Sequence, residues 1–550
     1  MASWARRDVL AWMTAGAMAP LLSACSSFQG MAGAGSGGQV DLLYVADTLD
    51  ARQPGKPVVP ATRLGPASRI GQAPWISGAN ARTSTPDQAQ LNPLLDADLS
   101  QQVETGGYPV LGALLQRFRR EAGEGNSLTL ENGQCWNGSG LAYLTHGQSG
   151  VQGSALLGTE VRVSSDERLL WPQQCAGLYR QFAHPVLGAG LPAQLSQTLG
   201  TESVAFFKRG GIRIAVVGIT DPYARDQTAS LREWSDSLHP VLERARADAD
   251  LVIALADVGT GPGFWIAERL PQIDLVLCAR GQDLWPQPID VFQASGKRVP
   301  VVLGGMRASG AFRIRCQQAN GQWRFAAQFA PALKQTLTVD DQLYASKLAQ
   351  VAQQQRAAHA NWLDQPLAQA PENLYRRDIR GGSWDRLLHV ALAKDANSAV
   401  LLPGLRYDVP LGKGQTITRD HLISLTGSYP APVVEVSARQ VPRVLENAAE
   451  QLFGEPMLLD NSQDLPRWMG HAWQVTYSAS GKRVDGLGEP TGQCRTFGLG
   501  FDAQAGQPLW QHVEAWLRAQ PQGWQIAPLQ LPQMLYVQGH PGWHPRERNS

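Results

Sequence analysis

Cys25 has the plainest chemistry in the sequence. It closes Leu22-Ser23-Ala24-Cys25, which has the form of a bacterial lipobox. Small residues before the cysteine suit peptidase cleavage, and the thiol accepts the lipid. Upstream stand a basic pair, Arg6 and Arg7, and an apolar run from Leu10 to Ala24. Residues 1–24 therefore read as a signal peptide of the twin-arginine type and are excluded from fold reasoning. The twin-arginine pattern is imperfect, since Asp8 and Val9 follow the pair and no lysine follows Leu10. Cys25 and the Gly/Ser-rich stretch to Gln39 read as a lipidated residue and a flexible tether. The expectation is a periplasm-facing lipoprotein of the cell envelope, held to the membrane only by its N-terminal lipid.

Other reactive groups are sparse. No Cys-x-x-Cys pair occurs, which argues against a zinc ribbon. The first 335 residues hold three histidines, His146, His184 and His239, each isolated. His540 and His544 have a His-x₃-His spacing, but Pro541 and Gly542 break any helix that would align them. In an oxidising compartment Cys135, Cys175, Cys278, Cys316 and Cys494 could pair, and their odd number leaves at least one thiol free. Lys+Arg total 48 and Asp+Glu 47, a balance that argues against nucleic acid and anionic membrane surfaces as partners. The run Arg117, Arg119, Arg120 reads as a solvated helix face.

The chain has 550 residues, 43% of them hydrophobic and 17% charged. That is too long for one core and apolar enough for two or three. Val40–Val45 reads as a buried first strand, and 50–105 as a long surface excursion. Tyr108–Glu121 is an amphipathic helix with Leu111, Leu114, Leu115 and Phe118 on one face. Strands are expected at Ser127–Leu130, Ile212–Gly218, Leu251–Ala256, Ile273–Cys278 and Val299–Leu303. Helices lie between them, as at Leu238–Ala249. This alternation indicates a layered α/β domain over 40–335. Residues 336–373 read as a linking helix, and 374–532 as a second α/β domain with helices at Trp384–Ala393, Arg419–Thr426 and Ala438–Leu452. Residues 533–550 read as a loose tail.

Several ordered blocks then point to a family. Gly106-Gly107-Tyr108 opens the first long helix, and Asn132-Gly133-Gln134-Cys135-Trp136-Asn137-Gly138-Ser139-Gly140 follows the second strand. Leu374-Tyr375-Arg376-Arg377, Leu402-Pro403-Gly404-Leu405-Arg406, Gly414-Gln415-Thr416-Ile417-Thr418 and Ser428-Tyr429-Pro430 come next. Arg467-Trp468-Met469-Gly470 and Val537-Gln538-Gly539-His540-Pro541-Gly542 close the series. In order and spacing the sequence resembles the bacterial 5′-nucleotidase family of two-domain metallophosphoesterases, most nearly its sulfur-oxidation thiosulfohydrolase branch. The resemblance implies an N-terminal calcineurin-like metallophosphoesterase-type layered sandwich, a linking helix and a C-terminal 5′-nucleotidase-type α/β domain.

The family uses two divalent metals, such as Mn or Zn, bound by carboxylates and imidazoles at the C-terminal ends of the strands. Each ligand loop departs from that pattern. Asp-x-His reads Asp47-Thr48-Leu49, and the bridging aspartate of Gly-Asp is Gln134. Ser165 stands where a histidine falls. Ser-His-Asn-Gly reads Ala256-Asp257-Val258-Gly259. Gly-Gly-His-Thr-His-Asp reads Cys278-Ala279-Arg280-Gly281-Gln282-Asp283. Leucine binds no metal, and a neutral amide cannot neutralise two cations as a carboxylate does. These positions imply a degenerate, metal-free site in which Arg280 pairs with Asp47, Asp257 or Asp283. No catalytic residue and no cofactor are expected.

The function implied is a non-catalytic binding or scaffold lipoprotein. Its partner would be a periplasmic sulfur-carrier protein or a small anion, which the family receives between its two domains. Arg406 and Arg467 suit an oxyanion through their planar forks, with Trp468 and Tyr429 nearby, unless both arginines pair with local acids. The alternative is an active metal-dependent hydrolase, a thiosulfohydrolase or phosphoesterase, with one cation on Asp47, Glu167, Asp257 and Asp283. A third reading makes Cys135 a nucleophile, its pKa lowered by Arg280.

Overall fold

A computed structural model describes residues 38–56, 65–69, 72–75, 82–85, 88–90 and 103–536, apart from 286, 306, 378–379, 396–397 and 462. The signal peptide, Cys25, nearly all of the tether, and the block from Val537 with His540 and His544 lie outside the described residues. The chain divides into two compact units. One comprises the described residues of 38–55 and 104–361, the other those of 56–103 and 362–536.

The first unit is built on two six-stranded mixed sheets. Its elements are β1 (Gln39–Val45), α1 (Tyr108–Ala122), β2 (Ser127–Glu131), β3 (Val161–Val163), α2 (Pro172–Phe182), β4 (Val186–Leu187), β5 (Val204–Arg209) and β6 (Ile212–Thr220). Then follow α3 (Leu231–Asp248), β7 (Leu251–Asp257), α4 (Thr260–Arg269), β8 (Leu275–Cys278), β9 (Ile289–Phe292), β10 (Arg298–Leu303), β11 (Gly310–Ala319), β12 (Gln322–Pro331) and α5 (Val339–Ala357). One sheet has the order β12-β11-β1-β2-β3-β4, the other β9-β10-β8-β7-β6-β5. In each, four strands run parallel, so their C-terminal ends gather on one side. Strands β7 and β8 are buried along their whole length, as expected of parallel strands covered on both faces.

Polar struts tie the two sheets together. Tyr44 Oη donates to the Cys278 carbonyl at 2.7 Å, and Asn132 Nδ2 donates to the carbonyls of Ala256 (3.3 Å) and Leu277 (2.8 Å). Outside the first sheet, Leu111, Leu114, Leu115 and Phe118 of α1 pack with Leu43 and Val45 of β1 and Leu348 of α5. Burying each such leucine contributes about 1.5–3 kcal/mol.

Three expectations are corrected here. The helix expected to link the domains ends at Ala357 and packs on α1 within the first unit. The basic run Arg117, Arg119, Arg120 is more than a solvated face. Arg120 pairs with Asp341 of α5 at 2.6 Å, Arg117 reaches the Thr336 carbonyl at 3.1 Å, and Arg119 bonds Thr129. Residues 56–103, assigned above to the first domain, belong to the second unit. There Ala67 joins the core and Tyr477 Oη donates to the Gly65 carbonyl at 2.9 Å.

The second unit contains α6 (Ser383–Leu392), β13 (Ala399–Leu402), β14 (Val433–Ser437), α7 (Val441–Phe453), β15 (Arg467–Trp468), β16 (Gln493–Phe497) and α8 (Leu509–Arg518). Its main sheet has the order β14-β16-β13-β15. Helix α7 buries Val441, Leu445, Ala449, Leu452 and Phe453 at helical spacing. The start of the expected tail is a strand, since Gln533–Tyr536 pairs in parallel with Gln474–Tyr477. All five described cysteines are buried and none is in a disulfide, so none of the pairings weighed for an oxidising compartment forms among them. Among the described residues no helix is long and apolar enough to cross a membrane.

Candidate functional site

The parallel strands of both sheets deliver a ring of loops at their C-terminal ends. Asp47 and Leu49 follow β1, Gln134 follows β2, Ser165 and Asp166 follow β3, and Asp221 follows β6. Asp257 ends β7, and Arg280 and Gln282 follow β8. An isolated bridge between Ala46 and Gly305 joins the ring across the two sheets. The backbone is unusual here. Asp47, Leu49, Gln134, Arg280 and Gln282 all have φ between 45° and 73°. Left-handed conformations at non-glycine residues are costly and persist only where the surroundings fix them. Gly133 is required, because a Cβ there would lie 2.1 Å from Asp257 Oδ1.

Arg280 is the centre of the site. Its Nη2 lies 2.6 Å from Asp166 Oδ1 and 3.1 Å from Asp257 Oδ2, and its Nη1 lies 3.3 Å from Asp221 Oδ2. Its Nε donates to the Asp257 carbonyl at 3.3 Å. Asp47 sits on the loop backbone, accepting from the N–H of Arg280 at 2.9 Å and of Gln282 at 2.8 Å. Of the three pairings expected for Arg280, the side chain makes the one with Asp257, and Asp47 is met by the main chain. Asp283 instead accepts from Thr260 Oγ1 at 2.6 Å. Asp166 and Asp221 had not been assigned to the site. The signal for Asp221 was its place three residues beyond the strand expected at Ile212–Gly218, which the structure extends to Thr220.

The other ligand-loop positions are engaged locally. Gln134 donates to Ser165 Oγ from its backbone N–H (3.0 Å) and from Nε2 (3.2 Å), and its Oε1 accepts from Asn137 at 3.0 Å. Leu49 is buried against Gly138, where a Cβ would approach it to 2.5 Å.

Burial is the main electrostatic force. It pushes Asp47 up to about 8, with Asp257 adding to the rise and the two N–H bonds opposing it. It pushes Asp221 up to about 6 against the attraction of Arg280. Burial likewise raises Asp257, against the pull of Arg280. Arg280 stays charged, since its three acids outweigh its desolvation. Asp257 Oδ1 is buried with no hydrogen-bond partner among the described residues.

The four carboxylates weighed above for a single cation are not brought together. Glu167 belongs to another network, receiving Arg162 Nη1 (2.7 Å), Tyr179 Oη (2.7 Å) and the Ser165 N–H (2.9 Å). Although burial opposes it, Arg162 holds Glu167 below the usual carboxylate range. Arg162 also bonds Glu131 at 3.1 Å and lies 3.7 Å from the ring centroid of Trp136. Among the described residues no group of three or more His, Cys, Asp or Glu side chains is arranged to hold a metal ion. His146, His184 and His239 are exposed. Cys135 is corrected outright. Its thiol is buried, bonds the Gly133 carbonyl at 3.4 Å, and is pushed well above the ordinary thiol pKa by burial.

In the second unit Arg406 pairs with Asp464 at 2.6 Å. Arg467 pairs with Asp385 (3.2 Å) and Asp464 (3.6 Å) and donates to the Leu465 carbonyl at 2.9 Å. Trp468 stacks on His471 with ring centroids 4.7 Å apart. Arg406, Arg467, Trp468 and Tyr429 are all buried.

Two packed mixed sheets with a ring of acidic loops at the strand ends, followed by a second α/β unit, define a two-domain metallophosphoesterase fold. Within that class the chain's structural neighbours include SoxB and 5′-nucleotidases. It matches the sulfate thiohydrolase SoxB of Thermus thermophilus, solved with glycerol, at a TM-score of 0.76 and 25% identity, over 91% of this chain and 97% of that one. It matches a 5′-nucleotidase precursor from Thermus thermophilus at 0.65 and 14% identity, over 91% and 99%. A 5′-nucleotidase from Candida albicans matches at 0.55 and 11% identity, over 87% and 98%. The last two likenesses speak for the fold alone. No protein-family model and no curated protein matches the sequence.

Proposed function

We propose that this chain is a SoxB-like, metal-free member of the family that binds rather than hydrolyses, working as an exported lipoprotein of the cell envelope. The observation that carries the reading is Arg280, whose guanidinium lies among Asp166, Asp221 and Asp257 where the family's divalent metals would sit. The residue set does not fit two such metals. Leu49 offers no lone pair, Gln134 is bonded to Ser165 and Asn137, and a permanent cation faces the carboxylates. The scaffold around these loops is kept, which suits a role in recognition. Its ligand would be a sulfur-carrying protein or a small anion, the class suggested by the likeness to a sulfate thiohydrolase. The lipobox ending at Cys25 supports the envelope location.

The test is metal content. The purified chain is offered Mn²⁺ and Zn²⁺, excess metal is removed, and bound ions are counted by elemental analysis. The expected result is none, with no hydrolysis of nucleoside monophosphates or thiosulfonates. One or two retained ions, or metal-dependent hydrolysis lost on Asp47→Ala, would overturn the reading in favour of a hydrolase.

A further inference from the structure

The chain enters the first unit at the end opposite the ring of loops. Strand β1 begins at Gln39, and Gly38 before it packs against the Gly210-Gly211 turn, where a Cβ would lie 2.5 Å from the Gly210 carbonyl. The same base carries the Asn320-Gly321 turn between β11 and β12, the ends of β5 and β9, and the starts of β2, β6, β7, β8 and β10. It closes across the two sheets. The Gly210 N–H donates to the Gly125 carbonyl at 3.0 Å, and Trp323 Nε1 donates to the Asp250 carbonyl at 3.1 Å. Helix α5 also starts here, since Asp341 in its first turn pairs with Arg120 in the last turn of α1. The three most exposed large hydrophobic side chains among the described residues gather at this end. They are Val339 (74%) and Leu343 (61%) in the first two turns of α5, and Phe292 (63%) at the end of β9. Exposed cations stand near them, Lys208 on β5 and Arg324 on β12, together with two exposed acids, Glu124 and Asp248.

Residues 26–37 are all that separate Cys25 from Gly38. A Gly-rich chain of that length spans about 20 Å root-mean-square and at most about 45 Å. The strands rise about 25 Å from the base to the ring. Bringing the ring against a membrane would make the chain from Cys25 climb that height outside the sheets, whereas the base needs no such path. We propose that the base of the first unit is a membrane-docking face. It rests on the bilayer that holds the Cys25 lipid, with Phe292, Val339 and Leu343 in the headgroup layer and the ring of loops around Arg280 turned away. The inference rests on the lipoprotein reading given above. The mixed charges of the base give no strong pull toward anionic lipid, and none is needed. The lipid supplies the affinity and holds the base at a high local concentration against the surface. The apolar side chains then only have to select an orientation, and the one that removes all three from water is favoured.

The experiment uses the mature chain with its lipid, reconstituted in vesicles of phosphatidylethanolamine and phosphatidylglycerol. An environment-sensitive fluorophore is placed on single introduced cysteines. Two are at the base, Phe292→Cys and Leu343→Cys, and one is at the ring end, Thr228→Cys in the loop after β6. All three positions are exposed, so the substitutions leave the cores intact. The five described native cysteines are buried, and the unsubstituted chain treated alike gives the background. On reconstitution the two base labels are expected to shift to the blue and to be quenched by lipids brominated near the headgroup. The Thr228→Cys label is expected to keep its aqueous emission. A lipid-bearing chain whose base labels stay aqueous, or whose Thr228→Cys label shifts as far as they do, sinks this inference and leaves the lipoprotein reading intact. A mature chain whose mass shows no lipid on Cys25 sinks the lipoprotein reading and this inference with it.

Discussion

Arg280 Nη2 is shared between Asp166, at 2.6 Å, and Asp257, at 3.1 Å, so one nitrogen of one side chain serves two loops that follow strands of different sheets. With Asp221 on the other terminal nitrogen, one guanidinium is bonded to three acids. The acids are therefore unequal partners. Burial holds Asp221 up at about 6, so its ionised form is only weakly favoured. Asp221→Asn should change stability by less than about 1 kcal/mol at neutral pH, whereas Arg280→Ala should cost about 3–5 kcal/mol by leaving buried acids uncompensated. Urea unfolding of the two variants measures the asymmetry, and equal losses would contradict it.

Asp47 gives a pH dependence of definite sign. Its folded pKa lies near 8, above the ordinary carboxyl value, so the folded state takes up a proton that the unfolded state has lost. The resulting stabilisation is full below about 4, the unfolded value. It declines as pH rises and is gone once pH passes about 8. Asp47→Asn turns one accepting oxygen into a donor facing an N–H, so the variant is less stable throughout. Its melting temperature should nevertheless fall less steeply between pH 5 and 8 than that of the wild type, as thermal scans across that range can establish.

Arg162 is a second buried cation, paired with Glu131 and Glu167 and stacked on Trp136. Arg162→Met keeps much of the volume but strands two carboxylates. A loss of about 3–5 kcal/mol is expected at pH 7. The loss should shrink in mild acid, where the stranded carboxylates protonate. Denaturant titrations at the two pH values test this, and a loss unchanged by pH would show packing rather than charge to be responsible.

Cys135 should be inert. Its thiol is buried, its pKa is raised by that burial, and it donates to a carbonyl. Because all five described cysteines are buried and none is in a disulfide, a thiol reagent should label them in denaturant and leave them nearly untouched in the native protein. Rapid native labelling at Cys135 would revive the nucleophile reading.

The strands that carry the site were legible because parallel strands buried on both faces are continuous apolar runs. Leu251–Asp257 is the clearest case, expected to within one residue at its end. The hairpin of β11 and β12 was not anticipated, although its signal was present. Asn320 and Gly321 form its two-residue loop with φ of 53° and 74°, the sequence pair that such a turn favours. Its strands mix apolar and polar residues too irregularly to stand out by alternation. Arg280 was found by its position in a loop, but two of its three acidic partners were not. Asp166 and Asp221 come from loops 55 residues apart in sequence, and only the folding of both sheets brings them to one guanidinium.

The Tyr44 and Asn132 struts bear on how the first unit comes apart. The Asn132 amide spends its donors on Tyr44 and on carbonyls of the opposite sheet, and the Tyr44 hydroxyl does the same. Neither sheet can loosen alone without leaving these buried groups unsatisfied. Their backbone amides should therefore behave as a single cooperative unit, with β1, β2, β7 and β8 exchanging their hydrogens through one shared opening event.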